Sequence, residues 1–156
     1  MKSFSEIDTT SKRASKAAGF SWGIAEEIGK ATRSLELFGL PGVKNLNSYL
    51  NKIEKKHPEK INKIVQENKN KELCPIYCGV AFLDQCKKIE NFRNIKFYNV
   101  NYPILILPFI SKASEILGKK ILIKFNKSSF LMNFNKSIMS KNLEKQVINS
   151  TNEISI

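Results

Sequence analysis

Three cysteines, a single histidine and a few acidic residues in apolar surroundings carry the chemistry open to this chain. Cys74 and Cys78 are spaced so that on one helix their sulfurs share a face, with Cys86 two further turns along. A thiol becomes a nucleophile when a neighbouring base or positive charge draws off its proton. The one histidine, His57, lies in Lys-Lys-His-Pro, which reads as an exposed turn, and Cys74 is the cysteine best placed to be reactive. Zinc would need a fourth donor beside the three sulfurs, and His57 is the lone histidine available. No metal and no cofactor is therefore expected. Free cysteines in an apolar run also serve as inert packing, which is the plainer role for all three.

Asp84 sits inside Val-Ala-Phe-Leu-Asp-Gln-Cys, where a carboxylate either emerges on a solvated helix face or is buried and paired. Buried, it would mark a cleft. Glu26 and Glu27 fall in the first turns of a helix beside Trp22, and a carboxylate next to an indole can serve as an acid or base. Acidic residues there also simply offset the helix macrodipole. Cys74, Asp84 and Glu26 are thus the catalytic candidates. Trp22, the only tryptophan, reads as a core or hairpin-packing residue. With Glu27, and with Tyr102 and Pro108 of an apolar, proline-bounded run, it forms the candidate ligand- or partner-binding set.

The motifs of several enzyme classes cannot be written on this chain. Its seven glycines form neither a P-loop nor a dinucleotide fingerprint. It has no nucleophile elbow, no paired histidines and no kinase signature.

The elements that must position these residues follow from periodicity and caps. Ser3 followed by Glu6 is a capping box, and Phe4, Ile7, Ala14, Ala17 and Ala18 make a narrow stripe whose alanines suggest close packing. Gly19 stops that helix. Ser21 caps the next, where Ile24, Ile28, Ala31, Leu35 and Phe38 recur at helical spacing until Gly39-Leu40-Pro41-Gly42. The two make an antiparallel hairpin. A third helix is predicted from Asn45 through Leu46, Tyr49, Leu50 and Ile53. Pro58 closes it and opens a short fourth helix bearing Ile61, Ile64 and Val65. Residues 67–72 read as a solvated connection. A turn at Cys74-Pro75 feeds a buried helix over 76–87, residues 95–100 alternate as a strand, and 103–117 is an apolar strand or helix that ends as a helix stopped by Gly118. Residues 120–125 and 130–134 alternate on either side of 126–129, a hairpin signal.

The charge of +12 on 156 residues invites a nucleic-acid reading. Lysine, asparagine and isoleucine, however, number 23, 16 and 19, a bias that a low-GC genome produces without selection for binding. The basic residues are spread along the chain, and arginine, the usual reader of phosphates and bases, occurs only as Arg13, Arg33 and Arg93. Nucleic acid is not the expected partner. The longest apolar run, 102–110, is too short to span a bilayer, so no membrane association is expected. An odd cysteine count and a polar N-terminus point to a reducing cytoplasm.

Several stretches resemble an uncharacterised bacterial family, domain of unknown function 3726. They are Ser5-Glu6-Ile7, Ala14 to Gly19, the segment from Trp22 through Glu26 and Glu27 to Ala31, and Phe38-Gly39-Leu40-Pro41-Gly42. Leu73-Cys74-Pro75-Ile76 with Gly79, Ala81 and Asp84, and Tyr102-Pro103 with Leu107-Pro108-Phe109, are similar to its later blocks. The chain departs from the family in its short length and its Lys/Asn-rich linkers. The resemblance implies a bacterial, cytoplasmic protein of metabolism and no particular reaction. The first hairpin is also similar to the N-terminal helices of type II malate/lactate dehydrogenases, but Gly39-Leu40-Pro41-Gly42 stands where that family has an Asp-Ser-His-Gly segment.

The expectation is an α+β domain over residues 1–145, an N-terminal helical hairpin and further helices packed on a small C-terminal sheet, with a frayed tail at 146–156. The expected role is that of a small accessory protein or subunit binding a metabolic enzyme or a small-molecule metabolite. The alternatives are a small enzyme with a cleft around Cys74, Asp84 and Glu26, and lysine-mediated nucleic-acid binding.

Overall fold

Ser3 opens the first helix through a reciprocal pair of bonds. Its hydroxyl accepts from the Glu6 N–H at 3.2 Å, and its own N–H donates to the Glu6 carboxylate at 3.0 Å, closing the capping box on α1 (Phe4–Ala17). The chain turns at Gly19, with φ at +107°, where the missing Cβ removes the steric penalty. The Ser21 hydroxyl then caps α2 (Trp22–Leu37), which packs back against α1. In this computed structural model the described residues are 3–68, 72–92, 94–125, 128–133, 137–141 and 150–155.

The face of α1 that packs is not the predicted apolar stripe. Phe4, Ala14 and Ala17 are exposed, while the buried side chains are Ser11 and Ser15. Close approach is still made through small residues, but they are these serines together with Gly29 on α2. A Cβ on Gly29 would stand 2.7 Å from the Asp8 carbonyl oxygen. A hydropathy pattern scores serine as solvent-facing and so misses this face.

After α2, α3 (Gly42–Lys52) starts three residues before Asn45 and buries Leu46 and Tyr49. The predicted fourth helix bearing Ile61, Ile64 and Val65 does not form; residues 57–65 are irregular. Side chains take the backbone groups that a helix would have used. Gln85 accepts from the Ile64 N–H at 3.0 Å and donates to the Asn62 carbonyl at 3.0 Å, and Asn68 accepts from the Val65 N–H at 3.0 Å. The connection expected at 67–72 begins as a short strand, β1 (Glu67–Asn68), with Asn68 buried and donating to the Lys96 carbonyl. Residues 69–71 lie outside the described residues.

The second half follows its predicted order more closely. Helix α4 (Pro75–Ile89) and strand β2 (Lys96–Asn101) lie where the pattern puts them. Tyr102 then takes a left-handed backbone at φ 45°. It redirects the chain into a 3-10 turn (Pro103–Ile106) and α5 (Leu107–Leu117), so the whole 103–117 run is helical. β3 (Ile121–Phe125) and β4 (Ser128–Asn133) pair antiparallel with Phe125 opposite Ser128. Asn126 and Lys127 of the connection, and Phe134 of the predicted strand, lie outside the described residues.

Two strands complete the sheet, β5 (Ser137–Lys141) and β6 (Ser150–Ser155). The stretch expected as a frayed tail therefore supplies an interior strand: β6 pairs antiparallel with β2 on one side and β3 on the other. Its polar composition argued for fraying, but the ladder bonds come from the backbone, which any sequence supplies. Residues 142–149 and 156 lie outside the described residues. The sheet order is β1-β2-β6-β3-β4-β5, with β1 parallel to β2 and the other pairs antiparallel.

The fold is α+β. Its core joins Ile28, Leu35, Tyr49, Ile76, Ile106 and Ile110 of the helical layer to Phe97, Ile123, Phe125 and Phe130 of the sheet. Among the described residues, no helix is long and apolar enough to cross a membrane.

Candidate ligand cleft at the start of the fourth helix

Backbone pairing fixes the place of Cys74. Leu73 bridges to β2, its N–H donating to the Asn99 carbonyl at 2.9 Å and its carbonyl accepting from the Asn101 N–H at 3.2 Å. The next residue, Cys74, is the N-cap of α4: its sulfur accepts from the Tyr77 N–H at 3.5 Å, and Pro75 occupies the first helical position, where a missing N–H costs nothing. A thiol is a weak acceptor, so this cap is looser than one made by serine or aspartate.

Tyr77, one turn into α4, donates its hydroxyl proton to His57 Nε2 at 2.6 Å. His57 Nδ1 lies 3.2 Å from the Ala18 carbonyl oxygen. That oxygen can only accept, so Nδ1 carries the proton in the neutral ring and Nε2 is the acceptor. Phe20 meets the imidazole edge-on at 4.6 Å between ring centroids. The turn at 57 is exposed as its sequence suggested, yet both ring nitrogens are engaged.

These elements enclose a cleft of about 500 Å³. Its floor includes Tyr49 from α3, Cys74 and Asn101, all buried; His57, Lys52, Lys56, Glu59 and Glu72 stand around the mouth. The Tyr49 hydroxyl lies beside the Cys74 thiol and has no partner of full hydrogen-bond geometry among the described residues. Tyr102 supports the floor, its ring edge-on to Tyr49 at 5.9 Å. Lys52 and Glu72 pair across the mouth at 3.8 Å.

Burial governs the acid–base character of the floor. Desolvation pushes the Cys74 thiol up to about 11, against smaller lowering by the Tyr49 hydroxyl and the first α4 amides. At neutral pH about one molecule in ten thousand then carries the thiolate. Desolvation likewise raises Cys78, Tyr49 and Tyr77. The floor is a set of neutral hydrogen-bonding groups, and the charges stay at the mouth.

The remaining sequence candidates fall elsewhere. Asp84 is on the exposed side of α4, about 15 Å along the axis from Cys74. Glu26 is exposed on α2 and pairs with Lys12 at 3.9 Å. Neither lines the Cys74 cleft. Trp22 is not a core residue: it is 55 % exposed, with the Lys12 and Lys16 ammonium groups 6.0 and 5.5 Å from its ring centroid. Glu27 and Pro108 do come together, lining a smaller cleft of about 200 Å³ in which Lys112 pairs with Glu27 at 3.7 Å. Cys78 and Cys86 are buried and free. Among the described residues, no three His, Cys, Asp or Glu side chains are grouped to hold a metal ion.

Tyr49, Tyr77 and Asn101 are the site residues that the sequence did not single out. The signal available for Tyr49 was its hydroxyl, set in an apolar stripe between Leu46 and Ile53, where a buried phenol calls for a partner.

Comparison with known proteins adds one match. Residues 2–74, just under half of the chain, fit the model of a family described as "Protein of unknown function (DUF3726)". The matched segment contains α1, α2, α3 and the approach to Cys74; Asp84, Tyr102 and Pro108 lie beyond it. No curated protein and no solved structure matches the chain.

Proposed function

We propose, on the premise of the match of residues 2–74 to the DUF3726 family model, that the protein binds a small polar metabolite in the cleft beside Cys74. It acts as an accessory protein of bacterial cytoplasmic metabolism rather than as a catalyst. The observation that carries this reading is the cleft itself, about 500 Å³, with the neutral polar residues Tyr49, Cys74 and Asn101 beneath a charged mouth. Lys52, Lys56, Glu59 and Glu72 bring both signs of charge to the mouth, so the ligand that fits carries both donors and acceptors. The raised Cys74 thiol and the separate settings of Asp84 and Glu26 give little support to an enzyme built on these three residues.

Native mass spectrometry of the protein isolated from its own host tests this. The expected result is a stoichiometric small-molecule adduct that the double variant Lys52→Glu/Lys56→Glu, changed at exposed mouth positions, loses while keeping its folded charge-state distribution. A bare chain with no adduct overturns the proposal.

A second reading, a subunit that docks on a metabolic enzyme, draws on Trp22. An exposed tryptophan flanked by two lysines is the kind of side chain that anchors interfaces. In the same experiment it requires a stoichiometric second protein that Trp22→Ala releases.

A further inference from the structure

At the far end of α4, roughly 20 Å from Cys74 along the helix axis, lies a separate cleft of about 480 Å³. Its floor is made by Phe82, Cys86 and Ile89 of α4 together with Ile95 at the entry to β2, all buried. Ile121 of β3 forms a wall. These side chains offer no strong hydrogen-bonding group, so the floor favours hydrocarbon.

The mouth is different in kind. Lys119, Lys120 and Lys124 line it, and Glu90 is the only carboxylate among its described lining residues. Lys119 neutralises Glu90 in an ion pair of 2.7 Å. Lys120 and Lys124 are exposed and have no ion-pair partner among the described residues. A cleft of small-molecule size with an apolar floor thus opens under two uncompensated ammonium groups on flexible stems. We propose that this cleft binds a free, single-chain carboxylate amphiphile of the fatty-acid class, with the hydrocarbon tail on Phe82, Ile89 and Ile95 and the carboxylate between Lys120 and Lys124. The cleft is concave and bounded on several sides, which suits one acyl chain rather than a bilayer surface. This site is independent of the cleft beside Cys74.

Isothermal titration calorimetry with octanoate, decanoate and dodecanoate, each below its micellar concentration, tests the proposal on the intact chain. The expected result is one saturable site, tightening by roughly fourfold per added methylene until the cavity is full. The double variant Lys120→Glu/Lys124→Glu changes only exposed positions, and it should weaken binding about tenfold or more and remove its salt dependence. Ile121→Trp, which fills the cavity from its half-exposed wall, should abolish binding, while Tyr49→Phe should leave it unchanged. The absence of saturable binding, affinity independent of chain length, or affinity unchanged by the charge reversal would each overturn the proposal. So would co-sedimentation with phosphatidylglycerol vesicles without binding of the monomeric acids, which would assign the lysines to a membrane surface.

Discussion

The phenolic oxygen of Tyr77 and Nε2 of His57 stand 2.6 Å apart, and the other nitrogen of the same imidazole reaches the Ala18 carbonyl at 3.2 Å. Through these two bonds one ring ties the end of α1, the irregular segment after α3 and the first turn of α4 together. Gly19 is part of the arrangement, because a Cβ there would lie 3.0 Å from His57 Nδ1. His57 lines the cleft beside Cys74, so the tie fixes one part of its rim.

His57 and Tyr77 should therefore be energetically coupled. Tyr77→Phe is expected to lower stability by about 1 kcal/mol and His57→Ala by about 1–2 kcal/mol. The double variant should lose less than the sum, leaving a coupling of about 0.5–1.5 kcal/mol. Urea unfolding of the four proteins measures the cycle, and strictly additive losses would show that the bond contributes nothing.

Alkaline pH should weaken the fold through Cys74. The unfolded chain releases this thiol's proton near 9.0, whereas the folded protein holds it to about 11. The folded state thus binds more protons between these values, so the contribution is complete below pH 9 and is lost as pH rises to 11. The shift corresponds to roughly 3 kcal/mol for a group buried this deeply. Urea midpoints taken near pH 8 and near pH 11 should fall farther apart in the natural chain than in Cys74→Ala. Equal falls in both proteins would mean that Cys74 is not the group responsible.

Two glycines of α2 should respond in opposite senses to alanine. Gly29→Ala drives a methyl group to 2.7 Å from the Asp8 carbonyl oxygen, a backbone atom that moves only with α1. It should cost about 1–3 kcal/mol. A Cβ on Gly23 meets nothing within 4 Å, so Gly23→Ala should stabilise the protein by about 0.5 kcal/mol through the unfolded chain's lost freedom. Thermal unfolding of the pair reads both signs; a neutral Gly29→Ala would mean that the hairpin can open without penalty.

The sequence's own errors are informative about what was legible. Ser3 and Glu6 announced their capping box, and Cys74-Pro75 announced the start of α4, because the partners lie within one turn of each other. The segment at 58–65 carries Ile61, Ile64 and Val65 at helical spacing. It failed because Gln85, more than twenty residues away, takes up the Ile64 N–H and the Asn62 carbonyl. Ser11 and Ser15 were passed over on α1 for a similar reason: only the partner helix, with its bare Gly29, tells a small polar residue that it will be buried.

What the sequence determined by itself was the set of local structures: the capped α1 and α2, the turn at Gly19, α4, and the β3–β4 hairpin. Each rests on hydrogen bonds and side-chain spacing among near neighbours, and such terms hold wherever the segment finally sits. What the tertiary structure alone decided was adjacency. It inserted β6 between β2 and β3, although its residues are polar, because backbone groups pair without regard to side chain. It also brought Tyr49, His57 and Cys74 to one cleft from three separate elements and left Asp84 and Glu26 outside it. The energy of that assembly lies in the burial of the shared core, which no single segment can register before the others arrive.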